Sequence, residues 1–453
     1  MDKKFCIVSL GCAKNTIDTE QMLSKLFEAG WEMVDDPDEA DIGIVNTCAF
    51  IEDAKSESIA EIIEMNQAKT TGAMVALVVT GCLAQRYKEE IFEEMPEVDA
   101  LVGTGSYLRI VEVCEKLISD SENAKMEKFG IFDDINAPVV ECPRVQSTPP
   151  YTAFIKVAEG CDNHCAYCVI PSIRGCYRSR KMEDIVEEAE NLAEKGVREL
   201  IVVAQDTSRY GIDLYGRYAL PELLEKMAKI EKLDWIRLHY VYPDEITDEL
   251  IAVIKNEPKI LKYIDMPVQH SSDRLLESMN RRYTRSELES LIKKLRREIQ
   301  GLVIRTSIIV GLPGETEEDF ENLCTFVKKM KFERAGIFTY SQEEGTPAGE
   351  MENQIEDSVK EERAEHLEQI QDRVMSSYNK KRIGQKIDVI VEGYDNYAGF
   401  FYSRSYAESP DIDGLIFFKP KATRPKAGDM VTVKIIEDID GDIVAEYDEN
   451  TIR

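Results

Sequence analysis

Three cysteines at near-constant spacing narrow the folds open to this chain more than any other feature. Cys12, Cys48 and Cys82 lie 36 and 34 residues apart, and each closes a short apolar run: "FCIVSLGC", "ADIGIVNTC" and "AMVALVVTGC". Each run precedes an amphipathic one: "TIDTEQMLSKLFEAG", "SIAEIIEMNQAK" and "QRYKEEIFEEM". A strand with its crossover helix takes roughly 30 residues or more, so the spacing corresponds to one βα unit per cysteine. A further pair, "ALVGTG" and "LRIVEVCEKLI", completes a small parallel-sheet domain over residues 1–118. In open α/β sheets ligands bind beyond the C-terminal strand ends, so the pattern predicts three thiols on the ligand-binding edge. The alternative is three buried cysteines with no metal, since free Cys is often buried.

The pattern loosens over residues 120–150, ending in "CPRVQSTPP", which reads as a linker or an irregular crossing. Residues 143–377 then carry a second βα series. Its strands are "AFIKVAEG", "ELIVVAQD", "WIRLHYVYP", "YIDMPVQH", "VIRTSIIVGLPG" and "RAGIFTYSQ". Six units predict a partial (β/α)6 barrel with its chemistry at the strand C-termini. Residues 378–453 change character: short β-rich runs alternate with glycine turns, as in a small antiparallel β-barrel. The expected fold class is α/β, in three parts.

The stretch "EGCDNHCAYCVIPSIRG" follows the first barrel strand and places Cys161, Cys165 and Cys168 as C-x3-C-x2-C. A structural zinc site wants four protein ligands, and Cys176 lies beyond Pro171 and Gly175, outside the tight loop. A four-iron cube held by three thiolates leaves one iron open to a small molecule. Cys6, Cys114, Cys142, Cys176 and Cys324 read as ordinary packing or loop residues. His164 reads as a loop residue facing solvent, and His270 as either packing or substrate contact. Eleven cysteines without a secretory signal fit a reducing compartment, and the longest apolar run is too short to span a bilayer. The reading is a cytoplasmic protein with no membrane partner. The formal net charge of −30 disfavours broad contact with phosphate backbones, leaving nucleic acid a secondary partner at most.

"CDNHCAYC" resembles the cluster loop of the radical S-adenosylmethionine enzymes, with Tyr167 in the aromatic slot. The resemblance implies a 4Fe–4S cluster on Cys161, Cys165 and Cys168 whose open iron is chelated by S-adenosylmethionine. An electron from the cluster then cleaves the sulfonium bond and releases a 5′-deoxyadenosyl radical. It further implies that Gln205 and Asp206, in "VVAQDTSRYG", lie near the methionine or ribose, and Gly311, in "RTSIIVGLPGE", near the adenine. Ordinary turn chemistry after a strand is the alternative for these three. "SLGCAKNTIDTEQM", "NTCAF" and "TGCLAQR" resemble the amino-terminal domain of the methylthiotransferases within that superfamily. There Cys12, Cys48 and Cys82 would hold a second 4Fe–4S cluster, able to bind a sulfide that one S-adenosylmethionine methylates before transfer.

Two branches share this layout, with a carboxy-terminal TRAM-like module in both. One thiomethylates an adenosine of transfer RNA. The other, the RimO type, thiomethylates the β-carbon of an aspartate in small-subunit ribosomal protein number twelve. "SLGCAKN", "AQDTSRYG" and "SRSYAESPDIDG" resemble the protein-modifying branch. Charge agrees: residues 384–453 hold 14 Asp and Glu against 8 Lys and Arg, a net of −6. An RNA-gripping barrel should be basic on one face, whereas an acidic module is expected to steer a basic protein by charge. The expected partners are that ribosomal protein, free or on the ribosome, and a reductant protein. A cluster carrier without radical chemistry is the remaining reading, though carriers usually close each cluster with four thiolates.

Overall fold

The computed structural model describes residues 3–453 apart from 420 and 449. Its first part is a six-stranded parallel sheet in the order Glu32–Met33, Lys4–Ser9, Ile42–Thr47, Ala76–Gly81, Ala100–Val102 and Phe129–Ile131. Every residue of Ile42–Thr47 and Ala76–Gly81 is buried, as a sheet covered by helices on both faces requires. One face packs on Met65, Leu83 and Ile91, the other on Met22, Leu26 and Val113. Phe129–Ile131 falls in the stretch expected to be linker. Three residues at a sheet edge are too few to show an alternation.

The second part is an open parallel sheet of six strands in chain order: Thr152–Lys156, Glu199–Val203, Trp235–Leu238, Ile260–Asp265, Val303–Val310 and Arg334–Thr339. Ile155, Leu200, Val202, Ile236, Leu238, Ile264 and Ile304 face the surrounding helices and form the main core. The alternate positions, Lys156, Glu199, Arg237, His239, Asp265 and Arg305, are polar and buried. Side chains alternate between sheet faces, so this polar set lines the concave face. It stays buried because the other two parts cover it. The helix Ala13–Glu28 sets Ala13 and Ile17 against Phe154, Ile201, Val203 and Tyr240.

A long helix, Asp357–Arg382, leads to a closed five-stranded barrel whose strands are Lys386–Asp395, Phe400–Ser405, Ile416–Phe418, Met430–Ile439 and Asp442–Asp448. This barrel docks on the strand starts of the second part, where Ile390, Ala407 and Met430 meet Tyr151, Trp235, Leu261, Tyr263 and Val303. Buried ions hold the seam. Glu199 accepts from Arg237 Nε and Arg404 Nη2, both at 2.8 Å, and all three side chains are fully enclosed. Glu408 accepts from Arg334 at 2.8 Å and Arg382 at 2.5 Å, and Asp413 accepts from the Tyr263 hydroxyl at 2.7 Å. Much of "SRSYAESPDIDG" is therefore a docking seam.

The barrel strand that begins at the seam, Val303–Val310, separates the module from the strand C-termini by roughly 20–25 Å at about 3.3 Å per residue. Charge is screened over about 8 Å at physiological salt, so the module's acids would act on a basic protein at the strand starts and not at the far mouth.

Burial alone would raise the Glu199 carboxyl, but Arg404 and Arg237 hold it down at about 2, against an ordinary 4.5. A lowered carboxyl contributes stability that is complete above the ordinary value and lost as pH falls through the folded one. Docking of the terminal barrel should therefore weaken between pH 4.5 and about 2. At neutral pH, Glu199→Gln leaves two buried guanidinium groups against a neutral amide, a loss of about 3–5 kcal/mol. Urea unfolding should record it; a midpoint equal to wild type would remove Glu199 from the seam.

Candidate active site

Three adjacent strands of the first sheet deliver the expected thiols to one edge. Cys12 is the N-cap of helix Ala13–Glu28, Cys48 follows Thr47, and Cys82 opens the helix Cys82–Tyr87. The turns are fixed from within. Asn15 Nδ2 donates to the carbonyls of Leu10 and Thr47, and Thr47 Oγ1 donates to the Thr80 carbonyl and accepts from Leu83 N. Gly81, at φ +91°, leaves no room for a side chain, since a Cβ there would lie 2.3 Å from Asn46 Oδ1.

The second trio hangs from a short antiparallel pairing of Ala158–Glu159 with Arg178–Ser179, which closes the loop at its base. Gly160 is required there: a Cβ would sit 2.0 Å from the Cys176 carbonyl. Asp206 braces the loop, accepting from Asn163 Nδ2 at 2.7 Å and from the Ser208 hydroxyl at 2.6 Å. Asn280 Nδ2 donates to the His164 carbonyl at 2.9 Å. Cys165 Sγ lies 3.3 Å from the Tyr242 hydroxyl and accepts from Arg281 Nη1 at 3.5 Å.

Electrostatics mark both trios as gathered thiols. Burial pushes Cys82 up to about 12, with Cys12 and Cys48 adding to the rise and Arg174 opposing it. Burial likewise raises Cys48. Cys12 runs the other way: its burial is outweighed by Lys14, Arg174 and the backbone N–H groups of Asn15 and Lys14, which favour the thiolate. In the loop, burial raises Cys161 to about 12 and raises Cys168 further, with neighbouring thiols contributing. Thiols that resist ionisation chiefly because they are buried are stabilised as thiolates by a cationic inorganic core. Among the described residues no three His, Cys, Asp or Glu side chains are grouped to share one metal ion. A cube binds one thiolate per iron, so its ligands stand farther apart than those of a single zinc. The donor sets fit the cube.

A buried ion network, not foreseen from the sequence, joins the amino-terminal thiol edge to the first barrel strand and to the helix after the cysteine loop. Arg174, at the end of the short helix after the cysteine loop, donates to Asp18 Oδ2 and Asn15 Oδ1, both at 2.5 Å, and to Cys82 Sγ at 3.6 Å. Lys156 Nζ donates to Asp18 Oδ1 at 2.7 Å and Glu159 Oε2 at 2.8 Å. Gln205 Nε2 donates to Glu159 Oε1 at 2.8 Å, while Gln205 Oε1 is buried with no partner and stays free for a ligand donor. The signal that could have found Lys156 is its charge at an inward position of "AFIKVAEG".

Other expected site residues fall as follows. Tyr167 is half-buried against Leu275, Leu312 and Tyr340, its hydroxyl 3.4 Å from Arg281 Nη1. Gly311, at φ +74°, lies under the Lys360 side chain, and its N–H donates to Glu315 Oε2 at 2.8 Å. Asp206 has both carboxylate oxygens engaged within the protein. His270 is fully buried, with Nδ1 accepting from Ser272 N, whereas His164 is exposed. Cys6, Cys114 and Cys324 are buried in a strand and two helices; Cys142 is partly exposed and Cys176 exposed.

Three family models match successive parts of the chain. Residues 4–103 match the uncharacterized protein family UPF0004, residues 155–327 the radical SAM superfamily, and residues 383–447 the TRAM domain. No helix among the described residues is long and apolar enough to cross a membrane. A radical S-adenosylmethionine methyltransferase, TsrM from Kitasatospora setae, has a similar fold at a TM-score of 0.56 and 15% identity, covering 77% of this chain and 74% of that one. The ribosomal protein uS12 methylthiotransferase RimO of Caldanaerobacter subterraneus is 50% identical over 97% of this chain and 99% of its own length. RimO proteins of Thermoanaerobacter sp. and Lachnoclostridium phytofermentans are 48% and 49% identical over 98% and 97% of this chain, and over 100% and 99% of their own lengths. Matched at about half identity along nearly the whole length of these relatives, the chain belongs to the RimO family of methylthiotransferases.

Proposed function

We propose that the chain adds a methylthio group to the β-carbon of an aspartate in ribosomal protein uS12, using one S-adenosylmethionine as methyl donor and another as radical source. The observation that carries this reading is the pair of three-thiol sets on two domains that Arg174, from the helix after the cysteine loop, ties together. Cys161, Cys165 and Cys168 would hold one 4Fe–4S cluster, and Cys12, Cys48 and Cys82 a second. When bound, these groups would supply electron transfer to the sulfonium and an iron site for the sulfide that is methylated and transferred, which acid–base side chains cannot.

The residues around them have separable tasks. Arg281 and Tyr242 direct hydrogen-bonding groups at Cys165, which fixes the position of that sulfur. Glu159, anchored by Lys156, orients Gln205 so that its free carbonyl oxygen faces a ligand, in keeping with a cofactor-binding role. Gly311, Tyr167 and Asp206 would complete the cofactor pocket, Asp206 by holding the loop through Asn163. Arg174 positions the amino-terminal edge against the loop. A reductant protein would deliver electrons from outside.

Anaerobic reconstitution should load about eight irons per chain, four per cube. Replacing Cys161, Cys165 and Cys168 together by Ala should leave about half, and so should replacing Cys12, Cys48 and Cys82. Full iron in either triple variant would contradict that ligand set.

The substrate reading is tested by offering the reconstituted enzyme both uS12 and an anticodon stem-loop, with mass spectrometry of each. The expected product is uS12 carrying one added methylthio group on an aspartate. Modified RNA with unmodified uS12 would assign the chain to transfer RNA instead.

A further inference from the structure

We propose that Lys14 is the carboxylate-binding residue for the aspartate being modified, with the Tyr240 ring as the floor of that subsite. The inference rests on the function proposed above and identifies where specificity for an acidic side chain resides.

Lys14 lies two residues after Cys12 in the first turn of helix Ala13–Glu28, and only 7% of it is exposed. Its Nζ sits 3.8 Å from the centroid of the Tyr240 ring. Tyr240 follows the third barrel strand at φ +58°, a left-handed conformation unusual for a bulky residue. The conformation is held from both sides. Tyr240 N donates to Asp265 Oδ2 at 3.3 Å, and its carbonyl accepts from Thr207 N at 2.9 Å, beside Gln205 and Asp206. One ammonium group thus spans from the amino-terminal trio to the strand ends of the barrel.

A buried ammonium is normally paired. Among the described residues Lys14 has no carboxylate within ion-pair distance and no hydrogen-bond acceptor. The nearby acids are already taken: both oxygens of Asp18 accept from Lys156 and Arg174, and those of Glu159 from Lys156 and Gln205. Two carboxylates thus face three cations, Lys156, Arg174 and Lys14; the Cys12 sulfur beside Lys14 takes up part of the remaining charge as a thiolate, but among the described residues no oxygen acceptor is left for the Lys14 N–H groups. The other cations of the concave face are committed. Arg305 pairs with Asp265 at 2.9 Å, Arg237 with Glu199, and His239 bonds Ser409 at 2.8 Å while burial lowers its pKa to about 4 and keeps it neutral. The face of the Tyr240 ring contributes a modest attraction and no hydrogen-bond acceptor oxygen, so the ammonium retains N–H donors for an incoming carboxylate.

The test uses the reconstituted enzyme with S-adenosylmethionine and uS12 bearing Asp or Asn at the modified position. Both carry a β-carbon–hydrogen bond, but only Asp carries the charge. The wild-type enzyme should prefer Asp by about 10- to 100-fold in kcat/KM, the range for a hydrogen bond to a charged partner. Lys14→Met should abolish most of that preference, chiefly through KM, and Lys14→Arg should restore part of it. Iron content measured alongside separates this role from support of the Cys12 site. Equal use of Asp and Asn by the wild-type enzyme overturns the proposal without touching the assigned reaction. So does an undiminished preference in iron-replete Lys14→Met. RNA modified while neither form of uS12 is would overturn the reaction and the subsite together.

Discussion

The arrangement depends on one buried ion network. Asp18 comes from the first sheet's leading helix, Lys156 and Glu159 from the first barrel strand and its extension, and Arg174 from the helix beyond the cysteine loop. None of these groups survives burial alone, because desolvating a single charge costs several kcal/mol. Each carboxylate instead meets two donors, and each cation reaches both acids. The network forms only when the amino-terminal domain sits on the barrel mouth. Registry is therefore set by charge, and the edge that carries Cys82 is brought against the helix that follows the cysteine loop as a consequence. Glu20 with Arg144, at 2.9 Å, extends the same contact along the helix.

The opposite end of the barrel is handled in a similar way. An open six-stranded sheet exposes a concave face at both ends, and here the terminal barrel closes one of them with Glu199, Arg237, Arg404 and Glu408. Sealing the strand starts leaves the strand C-termini as the working mouth, where Gln205, Tyr240 and the cysteine loop gather. The buried seams do not use up the chain's acidity: Glu199 and Glu408 are matched there by Arg237, Arg404, Arg334 and Arg382, and most acids of the terminal module remain exposed or partly exposed.

Much of the fold was legible because it is repetitive. Cys12, Cys48 and Cys82 each end a strand in a run of βα units, and a parallel sheet brings such ends together whatever the side-chain detail. The C-x3-C-x2-C loop was local enough to read directly. The interdomain residues were not, because their meaning is set by pairs far apart in the chain, such as Asp18 with Arg174 or Glu199 with Arg404. Periodicity reports which face is buried, not against what. Helix Ala13–Glu28 carried a warning: Lys14, Asn15, Asp18, Thr19, Glu20 and Gln21 are all buried, a run that reads in isolation as solvated. Gly311 shows the converse, since the Lys360 side chain that covers it comes from the long helix Asp357–Arg382 rather than from any local motif.

The central claim is that Asp18 and Arg174 couple the two domains, and a double-mutant cycle measures that coupling. The chain has two tryptophans, and Trp31 lies buried in the amino-terminal domain while Trp235 lies at the terminal-barrel seam. In a Trp235→Phe background, Trp31 fluorescence during urea unfolding follows the amino-terminal domain alone. Asp18→Asn, Arg174→Gln and the double variant should be non-additive by about 1–3 kcal/mol, as for charges sharing a buried network. Additivity to within about 0.5 kcal/mol would mean the two residues act independently, and the network would not be what holds the two cysteine sites together.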